Sequence, residues 1–354
     1  MSSYIILPFN FKYSDDTVLM VNQAGEWLTI SRNDFDKFHS YKLEAEDECY
    51  KRLKAKHFLT ITEEKEQVLG LLAIKLRTRK AFAECSPNLH MIVATLRCNC
   101  LCKYCHASSI DMSAKQYDMG WETARKTIDL IFQSPSDDIK IEYQGGEPLL
   151  NWDIVKESIL YSKFVNKIAR KNLSFVICTN LMQISKEQID FFKKHSIEIS
   201  TSLDGPKQLH DTNRKSRIFE SSYDKFIENS KLINDCAPLL TITKTNINKL
   251  RSVIDTYVKL GYNTIFLRAL NPYGNAVKNK AELDYSTEEF ISAYKDALQY
   301  IIELNKNGID FVECYTALFL TRILTPFSTG FVDLQSPSGA GLSGVIYNYD
   351  GKVY

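Results

Sequence analysis

The chain has 354 residues, 44% hydrophobic and 25% charged, with a formal charge of +1. That composition excludes a disordered or coiled-coil chain, and the near-zero charge gives no reason to expect nucleic acid or an anionic membrane as a partner. A small molecule or another protein is the default partner, and the length suffices for one large domain with an appendage or for two domains.

The first apolar run, residues 4–9, is short, contains Pro8 and lacks the basic flank and cleavage pattern of a signal peptide. No run approaches the roughly 20 apolar residues of a membrane span. A cytoplasmic location is therefore expected, where clustered thiols serve as metal ligands or catalysts rather than disulfide partners. Residues 17–30, TVLMVNQAGEWLTI, predict two short strands, 18–22 and 26–30, joined by a turn at Gly25. Ser31 reads as the N-cap of a helix carrying Phe35 and Phe38, and a second short helix is predicted over 48–56. Residues 1–62 thus form a small N-terminal module, and the charged segment 63–88 a connector.

From residue 89 strands alternate with helices. Strands are predicted at 89–96, 139–144, 173–178, 197–202, 239–243 and 263–268. Apolar residues at helical spacing separate them, such as Trp121, Ala124, Ile128 and Ile131, or Leu250, Ile254 and Tyr257. Ser185 with Gln188 and Ser286 with Glu289 read as capping boxes. Six such units are too few for a closed eight-stranded barrel, so the expected α/β fold is a partial (β/α)6 barrel over residues 89–283. A long helix carrying Phe290, Ala297 and Ile301 and a last helix at 309–324 fill residues 284–335, and a Gly- and Ser-rich tail, 336–354, ends in NYDGKVY.

The segment LRCNCLCKYCHAS, 96–108, carries four of the nine cysteines within eight residues. Cys98, Cys102 and Cys105 form a C-x3-C-x2-C triplet directly after the first predicted barrel strand. Three thiolates can hold three irons of a four-iron cluster and leave the fourth open. A zinc ion would need a fourth donor, which Cys100 or His106 could supply. The second strand ends in Gly145, Gly146, Glu147 and Pro148, where two glycines let the backbone come close to a ligand and a carboxylate follows that can receive an ammonium group. Cys49, Cys85, Cys178, Cys236 and Cys314 are scattered and read as small buried hydrophobes.

The triplet with Tyr104 before its last cysteine, followed one βα unit later by GGEP, resembles the radical S-adenosylmethionine superfamily. CTNL at 178–181 resembles that superfamily's Thr-Asn-Gly turn, with Leu181 departing from the usual Gly, and STSLDGPKQLHDTNR at 200–214 resembles its peptide-modifying members. More narrowly, IFLRALNPYGNA from Ile265, with VICTNL, ISTSLDGP, LPFNF and VNQAGEWL, is similar to the maturase B family of the His-Xaa-Ser system. The resemblance implies one [4Fe-4S] cluster on Cys98, Cys102 and Cys105, and S-adenosylmethionine bound by Tyr104, Gly145, Gly146, Glu147, Thr179, Asn180, Ser202, Asp204, Arg214 and Arg268, with Glu147 on its amino group and Arg214 on its carboxylate. It further implies reductive cleavage of that cofactor to a 5′-deoxyadenosyl radical, which abstracts hydrogen from a precursor peptide with His-Xaa-Ser repeats. A low-potential donor of the ferredoxin or flavodoxin class and a partner maturase complete the expected set. The N-terminal module is similar in layout to the peptide-recognition elements of such enzymes.

All these motifs fall at C-terminal ends of predicted strands, where active sites of (β/α) arrays are built, and a structural zinc knuckle leaves that placement unexplained. The resemblance breaks near the end: related maturases continue into a SPASM or twitch-type region opening on Cys-Gly-Ala-Gly, whereas this chain has Ser338 in the place of the cysteine. Serine is a poor ligand for iron. A catalytically incomplete peptide-binding copy and a sulfatase-maturase-like enzyme are the competing expectations.

Overall fold

The computed structural model describes residues 4–84, 86–233 and 236–354, which fall into two compact units, residues up to 84 with 319–336, and residues from 86 to 318 with 337–354. Cys85 lies outside the described residues.

In the first unit β1 (Ile5–Ile6) pairs antiparallel with β5 (Leu59–Thr60), and β2 (Phe9–Ser14), β3 (Thr17–Asn22) and β4 (Trp27–Ser31) form an antiparallel meander. Strict alternation along β3 and β4 turns Val18, Met20, Leu28 and Ile30 inward. There they meet Phe35 and Phe38 of α1 (Arg32–His39) and Leu53 of α2 (Glu48–Ala55). Ser31 caps α1 as expected, accepting from the Asp34 amide. The expected hairpin is a three-stranded sheet, because β2 joins it along its whole length despite five exposed residues out of six. The charged segment read as a connector contains a 16-residue helix, α3 (Lys65–Lys80), none of whose residues is buried.

The second unit runs β6 (Leu89–Thr95), β7 (Cys100–Cys102), α4 (Trp121–Ile131), β8 (Asp138–Gly145), α5 (Trp152–Ala169), β9 (Asn172–Cys178), α6 (Lys186–His195), β10 (Glu198–Ser202), α7 (Lys207–Asn213), β11 (Arg214–Ser216), α8 (Ser222–Ser230), β12 (Ala237–Thr241), α9 (Leu250–Lys259), β13 (Thr264–Ile265), β14 (Leu267–Arg268), α10 (Asn275–Lys278), α11 (Lys280–Leu283), α12 (Thr287–Lys306), β15 (Val312–Glu313), α13 (Cys314–Leu324, which runs on into the first unit) and β16 (Gly344–Tyr347). Seven strands make one parallel sheet in the order β14-β12-β10-β9-β8-β6-β16. Five of the six βα strands of the sequence are in it and the sixth contributes its second half, so the partial (β/α) barrel stands.

One face of that sheet is apolar. Ile139, Ile141 and Tyr143 of β8, Phe175 and Ile177 of β9 and Leu240 of β12 pack against Ile128 of α4, Val155 and Ile159 of α5 and Val253 and Tyr257 of α9. The alternate residues, among them Glu142, Gln144, Ser200, Ser202 and Thr241, point the other way and line a cavity. Strand pleating thus separates the core from the site. Both capping boxes are present, at Ser185 with Gln188 and at Ser286 with Glu289.

In this unit three elements differ from expectation. The sixth strand is split: β13 pairs with β15, and only β14 joins the main sheet. The helix expected from residue 309 starts at Cys314, because Val312 and Glu313 are drawn into β15 and the Glu313 carboxylate accepts from the amides of Tyr315 and Thr316, capping α13. The tail returns as β16, beside β6 at the sheet edge, and folds back so that the Ile346 and Tyr354 amides each donate to the other's carbonyl at 2.9 Å. No helix among the described residues is long and apolar enough to cross a membrane.

Candidate active site

The cysteine loop leaves β6 and is fastened before it reaches α4. Arg97, buried beside Cys98, donates twice to Asp118, at 2.7 and 2.6 Å, and also to the carbonyls of Met112 and Leu150. A paired guanidinium and carboxylate of this kind is rigid as well as strong. The Cys98 amide donates to Ile110, and β7 pairs antiparallel with β11, setting Arg214 opposite Cys102. At the far end the Asn275 amide donates to the Cys105 carbonyl at 2.8 Å. Gly274, at φ +59, lets this happen, since a Cβ there would lie 2.4 Å from the same oxygen.

Each of the three expected ligand sulfurs receives an N–H donor. Cys98 Sγ accepts from the Cys100 amide at 3.4 Å and from Asn180 Nδ2 at 3.9 Å. Cys102 Sγ accepts from Arg214 Nη1 at 3.7 Å, and Cys105 Sγ from the Ser109 amide at 3.5 Å. Contact with Cys100, 3.5 Å away, and the Arg214 charge draw the Cys102 thiol down to about 7 against the opposing effect of burial. Cys98 is pushed well up, chiefly by burial. Donors of this kind, aimed at sulfur, are what hold and tune iron–sulfur ligands.

Among the described residues no three Cys, His, Asp or Glu side chains converge on one point as a single-ion site requires. A zinc ion needs all its donors within about 2.0–2.3 Å of one centre, whereas the ligands of an iron–sulfur cube are spread over separate irons. The donor chemistry of the three thiols fits the cube.

Cys98, Cys102 and Cys105 line one cavity of about 240 Å³ with Tyr104, Gly145, Gly146, Thr179, Asn180, Ser202, Arg214 and Arg268. Glu147 and Asp204, also expected at the site, stand behind its wall. Glu147 is 2% exposed, with its two carboxylate oxygens accepting from the amides of Leu149 and Asn180 at 3.1 and 2.8 Å. Burial raises its pKa to about 7 in spite of these donors and Thr179. Asp204 is fully buried and accepts from the Tyr104 hydroxyl at 2.6 Å.

Gly145 and Gly146 line the cavity and on their other side meet the protein's own backbone. A Cβ on Gly145, at φ +133, would lie 2.2 Å from the Thr95 carbonyl, and one on Gly146 would lie 2.1 Å from that of Arg97. The backbone they approach is the start of the cysteine loop, bound by the Gly146 and Glu147 amides at 2.7 Å each. Cys178 is not an apolar filler: it lines the cavity, donates to Glu142 Oε1 at 3.2 Å and has its pKa raised by burial and by that carboxylate. Cys49 and Cys314 are half-buried and Cys236 is buried.

Arg97, Asn99, Asp118, Glu142 and Gly274 were not singled out by the sequence. Asn99, fully buried, accepts from Asn180 Nδ2 at 2.7 Å and so ties the cysteine loop to the CTNL turn. His210 and Asp211 lie off the cavity: His210 Nδ1 accepts from the Asp204 amide, and Asp211 caps the start of α8 through Ser221, Ser222 and the Tyr223 amide.

A family profile described as the Radical SAM superfamily matches residues 92–251, which hold all the expected cluster and cofactor residues except Arg268. A cysteine-type anaerobic sulfatase-maturating enzyme of Clostridium novyi is 30% identical over 155 residues, 42% of this chain and 41% of that one. Among solved structures, native anSMEcpe with bound AdoMet superposes with a TM-score of 0.61 at 20% identity, covering 76% of this chain and 74% of that one. Streptococcus suis SuiB bound to precursor peptide SuiA does so with a TM-score of 0.52 at 11% identity, covering 99% and 82%. Residues 92–251 thus match a radical SAM domain, of the superfamily that uses a [4Fe-4S] cluster and S-adenosylmethionine, and the chain is similar in sequence to a sulfatase-maturating relative and in fold to anSMEcpe and SuiB.

Proposed function

We propose that the chain is a radical SAM peptide maturase acting on a ribosomally made precursor of the His-Xaa-Ser type. The observation that carries this reading is that all three triplet cysteines, each with an N–H donor on its sulfur, line a single cavity at the C-terminal end of the sheet. Cys98, Cys102 and Cys105 hold one [4Fe-4S] cluster. When bound, cluster and S-adenosylmethionine together supply a carbon-centred radical able to take hydrogen from an unactivated carbon.

The protein's own residues bind, orient and exclude. Arg214 and Arg268 offer planar donors to the carboxylate of the cofactor, and Ser202, Thr179 and Asn180 offer hydrogen bonds beside it. Tyr104 and the Gly145–Gly146 backbone shape the wall, and Glu147 and Asp204 fix it from behind. The arrangement asks for no acid–base pair. It asks for a dry, preset cavity into which a substrate carbon is delivered. A ferredoxin- or flavodoxin-class protein provides the electron, and a partner maturase takes part in completing the product.

Anaerobic reconstitution tests the reading. About four irons per chain, and 5′-deoxyadenosine released on adding reductant and S-adenosylmethionine, are expected. A chain that binds iron yet releases none of that product is a peptide-binding copy instead. Mass spectrometry of a co-expressed His-Xaa-Ser peptide then identifies the modification. The sulfatase-maturating relative supports a second reading, oxidation of a Cys or Ser side chain to formylglycine, whose mass change differs from that of a cross-link.

A further inference from the structure

Behind the cysteine loop four side chains form one chain of contacts. The Tyr104 hydroxyl donates to Asp204 Oδ2 at 2.6 Å, and Arg214 Nε donates to Asp204 Oδ1 at 3.3 Å. Arg214 Nη1 donates to Cys102 Sγ at 3.7 Å, and the guanidinium lies over the Tyr104 ring, 5.2 Å from its centroid. The Asp204 side chain has no exposure and that of Arg214 13%. Pairing of β11 with β7 fixes the Arg214 backbone opposite Cys102. The charge is therefore held on three sides, by a ring, a carboxylate and a strand, and directed at one sulfur.

The other two triplet sulfurs differ in kind. Their donors are backbone amides and the Asn180 amide, all neutral. A charge-assisted donor is roughly twice as strong as a neutral one, and hydrogen bonds to sulfur and local charge are among the determinants of cluster potential. In a buried site such a field is little screened by salt or water. Arg214 favours the extra electron of a reduced cluster. Asp204, next to it, opposes that electron, and Tyr104 dilutes the opposition by donating to the carboxylate.

We propose that Arg214 sets the reduction potential of the cluster through Cys102, raising it, while Asp204 acts as a counterweight and Tyr104 and Asp204 are the positioning residues that keep the guanidinium on the sulfur. This rests on the reading of Cys98, Cys102 and Cys105 as cluster ligands. It adds a function for Arg214 distinct from contact with the cofactor's carboxylate, and it operates with no S-adenosylmethionine present.

The test is a reductive titration of the anaerobically reconstituted full chain, without S-adenosylmethionine, followed by the electron paramagnetic resonance signal of the reduced cluster. Opposite signs are expected: Arg214→Gln lowers the midpoint potential, whereas Asp204→Asn, which keeps an Oδ1 acceptor for Arg214 Nε but loses the negative charge, raises it. Arg214→Lys stays closer to wild type than Arg214→Gln, and Tyr104→Phe gives a smaller fall. General loosening of the site has no reason to move two neighbours in opposite directions. Intact clusters whose potentials shift the same way in both variants, or in neither, overturn the inference while leaving the proposed function standing. If Arg214→Gln does not assemble a cluster, Asp204→Asn decides alone, a rise supporting the inference and a fall or no change overturning it. A wild-type chain that takes up no iron overturns both.

Discussion

The GGEP turn after β8 and the CTNL turn after β9 hold the same cysteine loop by opposite means. The first meets it backbone to backbone: the Gly146 amide donates to Thr95 and the Glu147 amide to Arg97, both at 2.7 Å. The second meets it side chain to side chain, Asn180 Nδ2 reaching Asn99 Oδ1 at 2.7 Å and Cys98 Sγ at 3.9 Å. Glycine is obligatory in the first because any Cβ would overlap a carbonyl oxygen. In the second the left-handed residue is Leu181, at φ +57, where a Gly is the more usual occupant. Close approach demands glycine, whereas a positive φ alone can be offset by what the side chain buries.

The largest expected effect falls on the first turn. Gly146→Ala places a Cβ 2.1 Å from the Arg97 oxygen, with the Arg97 carbonyl carbon and the Leu96 oxygen at 2.6 Å. Neither backbone can yield, since Arg97 is pinned by Asp118, Met112 and Leu150. Loss of both turn hydrogen bonds and the accompanying strain amount to about 4 kcal/mol. Anaerobic urea unfolding and iron per chain are both expected to fall sharply, and a variant with wild-type iron content would break the account of this turn.

Glu147 joins the two turns, one oxygen in each, and gives the comparison a pH dependence. Its folded pKa, raised by burial to about 7, stands above the ordinary 4.5. Between those values the folded chain keeps a proton that the unfolded chain has released. The stability due to this group is therefore whole below pH 4.5 and is lost as pH rises through 7, by up to about 3 kcal/mol. Glu147→Gln removes the titration. The stability of wild type relative to the Gln variant is expected to decline across that window and level off above it, and a flat difference would show that the carboxylate does not titrate there.

How far the sequence discloses this architecture depends on the range of the interaction. Alternation along β8, the short apolar run of β9 and the capping boxes at Ser185 and Ser286 are local patterns, and they give the barrel strands and two helix starts within a few residues. The triplet and the GGEP turn are local too, and so was their convergence on strand ends. Arg97 carried no signal, because the partner that buries it, Asp118, is 21 residues away and resembles any other surface Asp in the sequence. Gly274 was similarly hidden: only the fold brings it under the carbonyl of Cys105. The strand β16 pairs with β6 from some 250 residues downstream, and nothing within GVIY distinguishes it from the rest of a Gly- and Ser-rich tail. The two glycines were legible as a site of close approach, but not that the approaching chain is the protein's own loop.

The smallest expected effect, a difference of about 1 kcal/mol between two variants, sharpens the contrast at Leu181. Its side chain is fully buried, its amide donates to Thr179 Oγ1 at 3.2 Å and its carbonyl accepts from Asn229 Nδ2 at 2.6 Å. Leu181→Ala removes the packing and leaves a cavity, roughly 3 kcal/mol, while the residue stays left-handed and strained. Leu181→Gly loses the same packing but relieves about 1 to 2 kcal/mol of left-handed strain, which outweighs the 0.5 to 1 kcal/mol by which Gly is ordinarily worse than Ala. The net loss for Gly is about 2 kcal/mol, so at this position Gly is expected to be more stable than Ala, the reverse of the usual order. Urea unfolding of the two variants decides it. If Ala proves the more stable, backbone strain at the CTNL turn is negligible, and the difference between the two turns reduces to close approach alone.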